Sequence, residues 1–334
     1  MLPAGRITMA VRRYKLITCA VLVVLLFLLP VFGVSEYFLS ICILAMIYTT
    51  ATASLRLVAL TGQINMGHAG FMMTGAYVSA VLAKEVGLSP GVAIVVGGLS
   101  AFIIGFLVGL PFARVRGLYF SMITLFFGAG LLSINQVLTE YTGGYSGLAG
   151  IPPLLSTNAK GPYYFLFLGI TISCLAIIYR LEFSRIGMTW KTIAQSDLVA
   201  SSVGINVQLH KAISLGLGAF IVGIAGATFA HYYTILSHSS FNFLASLYLI
   251  VYMLTGGIGS FAGPIVGAAL LVIIPESLRS LKEYVPYVFA GIMLFVVFLM
   301  PNGIAGLPNQ IRQSLQNKGT VGVKREVPED ASRG

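Results

Sequence analysis

The chain has 334 residues, 57% of them hydrophobic and 9% charged, with a mean hydropathy of +0.93, whereas a soluble domain carries about 25% charged residues. Its uncharged runs are long enough to cross a hydrocarbon core of about 30 Å as helix, and they are apolar all round instead of alternating, so helices and not barrel strands are expected. The net charge of +10 falls in short clusters between those runs, as orienting loop charges do, and this argues against a nucleic-acid binder.

Taken in chain order, Arg6, Arg12, Arg13 and Lys15 precede an uncharged run over 16–35. That run is long for a signal h-region and no A-x-A-like site follows it, so it reads as a retained first span. Further spans are expected at 37–55, 57–83, 91–112, 117–138, 162–179, 212–235, 241–257, 258–275 and 286–304. Those at 241–257 and 258–275 are short and Gly-rich, which leaves open whether they cross fully or form a re-entrant hairpin. The expected fold is an all-α polytopic membrane protein of about 8–10 transmembrane helices. Residues 1–309 form one transmembrane domain, followed by a polar, disordered tail over 310–334. Cys19, Cys42 and Cys174 lie inside apolar runs at unrelated spacings and read as small core hydrophobes.

Charge sets the orientation. With the N-terminus cytoplasmic and ten spans, every one of the 20 Lys and Arg except Lys84, Lys160, Arg279 and Lys282 falls on the inside. The positive-inside rule therefore places both termini in the cytoplasm. Tyr141, Tyr145, Tyr163, Tyr164, Tyr232, Tyr233, Tyr284 and Tyr287 then gather at the outer edge, and His231 and His238 belong to that interface.

Two segments echo each other. Leu60 onward reads LTGQINMGHAGFMMTGA and Leu254 onward reads LTGGIGSFAGPIVGA; Gly67 and Gly75 are spaced as Gly259 and Gly267 are. Glycine-interrupted apolar segments at matching places in two halves point to a transport site, because broken helices free backbone groups that only protein, a cavity or a ligand can satisfy. Gln63, Asn65, His68, Phe71, Thr255 and Gly256 are the candidate pathway residues. Close helix packing through small residues explains the same glycines equally well, and a lone buried histidine is more often a satisfied interior group than a ligand. No Asp or Glu falls in the middle of a span, which weakens proton coupling and fits a neutral or zwitterionic cargo.

The sequence has no G-x-x-x-x-G-K-[ST] and so no P-loop; no cofactor or metal is expected, and the four histidines lack ligand spacing. Between the sixth and seventh spans lies a loop, Arg180 to Lys211, in which Met188–Val203 reads as a short helix ended by Gly204. It holds the only tryptophan, Trp190. Two readings stand: a docking surface for a soluble partner, or an interfacial helix anchored on lipid by Trp190 and Lys191.

The stretches TGQINMGHAGFMMTGAY, ARVRGLYFSMITLFFGAG, TGGYSGLAGIP, RIGMTWKTIAQSDLVASSVGI, LTGGIGSFAGPIVGAALLVIIPESLRSL and GIMLFVVFLMPNGIAGL resemble, in order and spacing over roughly 40–308, the LivM-type membrane subunit of bacterial ABC importers for branched-chain amino acids. The resemblance implies a permease domain in the inner membrane, partnered by a LivH-type permease, two cytoplasmic ATPase subunits that alone bind ATP, and an extracytoplasmic binding protein delivering Leu, Ile or Val. It makes 180–211 the coupling loop, with Trp190, Gln195, Asp197 and Gly204 as its ATPase-coupling residues. Where the family commonly shows Arg-Glu-x-Glu, this chain has Ala194, Gln195, Ser196 and Asp197, which alters the charge available for coupling. Related permeases carry urea or short amides. The competing functional classes are a self-sufficient secondary transporter or channel, and a membrane enzyme, for which no acidic or His cluster at one depth is found.

Overall fold

A computed structural model describes residues 34–278 apart from 158, together with the single positions 27, 30, 284, 287, 290, 291, 294, 303 and 304. The expected spans at 16–35 and 286–304 and the tail at 310–334 lie outside the continuously described residues.

Among the described residues ten helices longer than one turn follow in order: α1 (Glu36–Ala59), α2 (His68–Glu85), α3 (Pro90–Phe112), α4 (Leu118–Val137), α5 (Lys160–Glu182), α6 (Arg185–Gln195), α7 (Asp197–Ser202), α8 (Val207–Tyr233), α9 (Phe243–Gly256) and α10 (Gly263–Ser277). Five of them, α1, α3, α4, α5 and α8, are long and apolar enough to cross a membrane. The only extended pairing among the described residues is β1 (Leu148–Ala149) against β2 (Ile235–Leu236), antiparallel, with Leu148 opposite Leu236. The protein is an all-α membrane-embedded bundle.

The helix starts are written locally. Ser35 accepts from the Phe38 amide at the head of α1, Asn206 from Leu209 at the head of α8 and Asn242 from Ala245 at the head of α9, each satisfying an amide that a helix start leaves open. Pro90 opens α3, where its missing N–H costs nothing.

The bundle is built around α1 and α8. Their apolar windows are 78% and 72% buried within the chain, against 33% for α3 and α5 and 22% for α4. The outer three therefore present apolar faces to lipid or to another protein. Lipid gives no hydrophobic drive for helices to associate, so close backbone approach has to supply the packing. Gly75 of α2 sits directly on the backbone of Gly223 of α8, and Gly97 of α3 on the Gly75 carbonyl.

Two expectations are corrected. The span expected at 57–83 is not one helix: 57–59 finish α1, 60–67 are non-helical, and α2 begins only at His68. The helix expected at Met188–Val203 is two helices, α6 and α7, parted at Ser196, whose extended backbone (φ −164, ψ 118) lets its hydroxyl accept from the Val199 amide and start α7 afresh. Gly204 does end it, at φ +84.

The α9–α10 hairpin extends through the depth of the bundle. At one end Tyr37 Oη donates to the Glu276 carbonyl (2.9 Å) and at the other Arg56 Nε donates to the Ile258 carbonyl (2.9 Å). The backbone positions of Tyr37 and Arg56 lie about 28 Å apart along α1 at 1.5 Å per residue.

Candidate functional site

The first Leu-Thr-Gly segment runs back into the bundle along the first turns of α4. Ser121 Oγ donates to the Ile64 carbonyl (2.8 Å), and the Met66 amide donates to Thr124 Oγ1 (3.2 Å). Gly67 and Gly70 lie against the backbone of α4 at Thr124 and Gly128, so these glycines serve close approach.

The polar residues here form one closed chain. The Gly67 amide donates to Asn65 Oδ1 (2.9 Å), which turns Asn65 Nδ2 toward His68 Nδ1 (3.2 Å). Ser54 Oγ donates to the Ala51 carbonyl (2.7 Å), so at its 2.8 Å contact with His68 Nε2 it accepts. The network thus assigns the His68 proton to Nε2. Asn65, His68 and Ser54 are fully buried, and every group in this chain is satisfied, as buried polar groups must be. Phe71, one turn on, stacks at a tilt on Phe127 (5.8 Å). Gln63 differs. Its Nε2 donates weakly to the Val115 carbonyl (3.4 Å), while its buried Oε1 has no partner among the described residues.

The amides at the head of α2 are engaged as well. Ala69 N donates to Ser246 Oγ of α9 (3.0 Å), and Gly70 N to the Gly67 carbonyl (3.0 Å). These N–H groups are committed to the fold and are not the free anion donors that a broken helix can offer.

The second Leu-Thr-Gly segment begins in the last turn of α9 and runs through the 257–262 turn into α10. Gly256, bearing no Cβ, lies against the backbone of Gly263 and Gly267, and Thr255 beside it is buried. Thus Gln63, Asn65, His68 and Phe71 share one buried region, with Thr255 and Gly256 in the neighbouring hairpin. The last turn of α1 links the two, since it runs into Leu60 and carries Arg56, which reaches Ile258.

Around that turn the basic end of the bundle is tied together. Arg56 grips Glu182 at the foot of α5 with both terminal nitrogens: Nη1 meets Oε2, and Nη2 donates to Oε1 at 2.9 Å. Both side chains are 3% exposed. Lys191 of α6 adds a third contact to Glu182 Oε1 at 3.3 Å. Asp197 Oδ2 receives Lys211 Nζ of α8 (2.7 Å) and Arg116 Nε (2.8 Å). Gly62, at φ +79, lies against the Cα of Ala194. Trp190 is fully buried and packs with Leu57, Leu60, Ile178 and Ile193.

This geometry sorts the loop residues. Trp190 faces the bundle and fastens the loop to it, instead of anchoring it in lipid. Asp197 is a bridge, Gln195 is exposed, and Gly204 ends α7. Met188, Leu198, Val199 and Val203 of this segment are all exposed, which the sequence reading missed because they are divided between two helices parted at Ser196. It also missed the Arg56–Glu182 pair. His231, in the last turn of α8, is fully buried, donating from Nδ1 to the Pro152 carbonyl (2.7 Å) and accepting from Ser79 at Nε2 (2.8 Å), so it faces the interior of the bundle.

Comparison with known proteins bears on what this architecture is for. Residues 37–299 match the family model described as "Branched-chain amino acid transport system / permease component". The chain is 30% identical over 303 residues to the high-affinity branched-chain amino acid transport system permease protein LivM of Escherichia coli (strain K12), covering 82% of this chain and 71% of that protein. It is 26% identical over 270 residues to LivH of the same strain (74% and 87% covered). To the probable LivM of Methanocaldococcus jannaschii it is 21% identical over 231 residues (64% and 67% covered). No solved structure matches. A family match that spans α1 to α10, over a bundle of apolar helices with the expected glycine breaks, settles the class: this chain belongs to the branched-chain amino acid transport permease family.

Proposed function

We propose that this chain is one of two membrane subunits of an ABC importer in a bacterial inner membrane. It pairs with a LivH-type permease and passes Leu, Ile or Val inward, with both termini cytoplasmic. Two separate cytoplasmic ATPases drive it, and an extracytoplasmic binding protein supplies the cargo. The observation that carries this reading is the α6–α7 segment. It is fastened to α1, α5 and α8 by Trp190, Glu182 and Asp197, while it turns Met188, Leu198, Val199 and Val203 outward. Exposed apolar side chains on a charged, firmly held helix pair suit a groove on a soluble protein. Arg185 and Lys191 lie on it, Lys211 and Arg116 pair with its Asp197, and Arg180 precedes it at the end of α5, which supports a cytoplasmic position.

In this mechanism, nucleotide binding and hydrolysis on the ATPases shift α6–α7, and rigid helix groups alternate access around a site near the middle of the bilayer. The segments 60–67 and 254–263 lie at the basic end of the path that leads from that site. Asn65 and His68 hold the first segment in shape, whereas Gln63, whose Oε1 has no partner among the described residues, and Thr255 supply polar lining. Phe71 contributes apolar surface.

The test is uptake of radiolabelled leucine, isoleucine, valine and urea into liposomes carrying this chain, with and without the LivH-type subunit, the ATPases and the binding protein. Branched-chain amino acid uptake that needs ATP and all partners is expected. Uptake by this chain alone under a sodium or proton gradient would establish a secondary transporter instead, and ATP-driven uptake of urea alone would replace the cargo.

A further inference from the structure

The Arg56 guanidinium, at the end of α1, binds two other parts of the molecule at once. Its two terminal nitrogens hold the Glu182 carboxylate at the foot of α5, and its Nε points sideways to the Ile258 carbonyl in the α9–α10 turn. Glu182 in turn receives Lys191 from α6. A continuous line of charge-assisted hydrogen bonds therefore runs from the α6–α7 segment through α5 and the end of α1 to the tip of the hairpin.

Packing alone does not call for such a line. A buried ion pair contributes little more stability than apolar residues of the same volume, because both charges must be desolvated. The geometry of this pair is specific in another way. The guanidinium is planar and rigid, so its fork and its Nε–H turn together. Any displacement of Glu182 that swings the fork also pulls on Ile258. The turn it pulls on is backbone-rich, with Gly257 at φ +99 and Gly256 seated on Gly263, so the tip moves together with the ends of α9 and α10. Gly187, against the Glu182 carbonyl, keeps α6 close to the foot of α5.

We infer that Arg56 is a positioning residue that transmits displacement of the α6–α7 segment, through Glu182, to the α9–α10 hairpin. This rests on the importer reading above and adds to it the route by which the loop reaches the transport path.

The test uses the full complex in liposomes and reads leucine uptake per ATP hydrolysed, basal ATPase rate and thermal midpoint. Arg56→Lys keeps a cation beside Glu182 but has no second donor set in plane for Ile258. It is expected to leave midpoint and basal ATPase near wild type and to lower uptake per ATP at least tenfold. Arg56→Met/Glu182→Met, which keeps volume and removes both charges, is expected to show the same loss of coupling. Wild-type stoichiometry in Arg56→Lys would overturn the proposal. So would uptake and ATPase falling together in proportion to the amount of assembled complex, because that is the signature of a purely structural pair. A wild-type complex that takes up no leucine under ATP would instead overturn the importer reading itself, which separates the two failures.

Discussion

Lys211 Nζ lies 2.7 Å from Asp197 Oδ2, with the lysine 4% and the aspartate 11% exposed, so the base of α8 and the start of α7 are joined by a nearly buried ion pair. Asp197→Ala leaves Lys211 charged without a partner, a change that costs about 3–5 kcal/mol when one half of a buried pair is removed. The structure can lower that cost by letting α7 come away from α8. Trp190 is the single tryptophan and fully buried in the same loop, so its emission reports the event. Asp197→Ala should red-shift Trp190 fluorescence and raise its quenching by acrylamide, while far-UV circular dichroism stays unchanged. Asp197→Ala/Lys211→Met should return toward wild type. Unaltered quenching in Asp197→Ala would show that the pair does not hold the loop.

The closed chain Gly67–Asn65–His68–Ser54 makes a second prediction. His68→Ala strips Asn65 Nδ2 of its acceptor and Ser54 Oγ of the donor it accepts from, while Ser54 keeps its bond to the Ala51 carbonyl, in a region from which water is excluded. Each stranded buried group costs about 1–3 kcal/mol. The detergent-solubilised chain should unfold several degrees lower, and Asn65→Ala should be comparable, because it releases the Gly67 amide as well as His68. The two substitutions share one network, so the double variant should lose less than the sum of the two. Strict additivity would mean that the groups do not act as a unit.

How far the sequence could carry these conclusions depends on distance along the chain. The spans were legible because charge and turn residues bound each apolar run, and the described membrane helices start and stop within a few residues of the expected limits, except at 57–83, where α2 starts only at His68. The Asn65–His68 cluster was visible as a cluster because its members are neighbours. What it does was not visible, since satisfaction by Ser54 is a tertiary fact. Arg56 and Glu182 are 126 residues apart, and each alone reads as an ordinary loop charge at the end of a span; only the fold brings them together. The break at Ser196 was hidden for another reason. Serine is compatible with a helix interior and favoured at a helix start, and the pull of Asp197 toward Lys211 and Arg116 decides between them.

The glycines separate packing from flexibility. A Cβ on Gly75 would collide with the backbone of Gly223, whereas one on Gly169, on the exposed side of α5, meets nothing within 4 Å. Gly75→Val therefore has to push α2 off α8, at a cost of about 1–3 kcal/mol or more for overpacking. Gly169→Ala should gain up to ~1 kcal/mol from helix propensity. Size-exclusion chromatography in detergent should show little monodisperse Gly75→Val and normal Gly169→Ala. A well-folded Gly75→Val would mean that the two backbones do not approach as closely as described.

The depth of the α9–α10 hairpin gives the last prediction. Contacts at Glu276 and at Ile258 match positions at opposite ends of α1, so the turn at 257–262 belongs to the same end of the bundle as Gln195, while Glu85, at the end of α2, belongs to the other. A re-entrant hairpin that entered and left from one side would instead place its turn near mid-depth, shielded from both aqueous phases. In a background with Cys19, Cys42 and Cys174 replaced by alanine, Ser260→Cys, Gln195→Cys and Glu85→Cys can each be probed with a membrane-impermeant maleimide, applied to intact cells and to inverted vesicles. Ser260→Cys should label from the same side as Gln195→Cys, and Glu85→Cys from the opposite side. The extent of labelling at Ser260 should be lower than at Gln195, since its hydroxyl accepts from the Gly263 amide and the residue is half-buried. Labelling of Ser260→Cys from the Glu85 side would reverse the hairpin. It would also remove the contact between Arg56 and Ile258 on which the proposed transmission route depends, because a buried guanidinium at the basic end cannot reach a carbonyl on the far side of the bilayer.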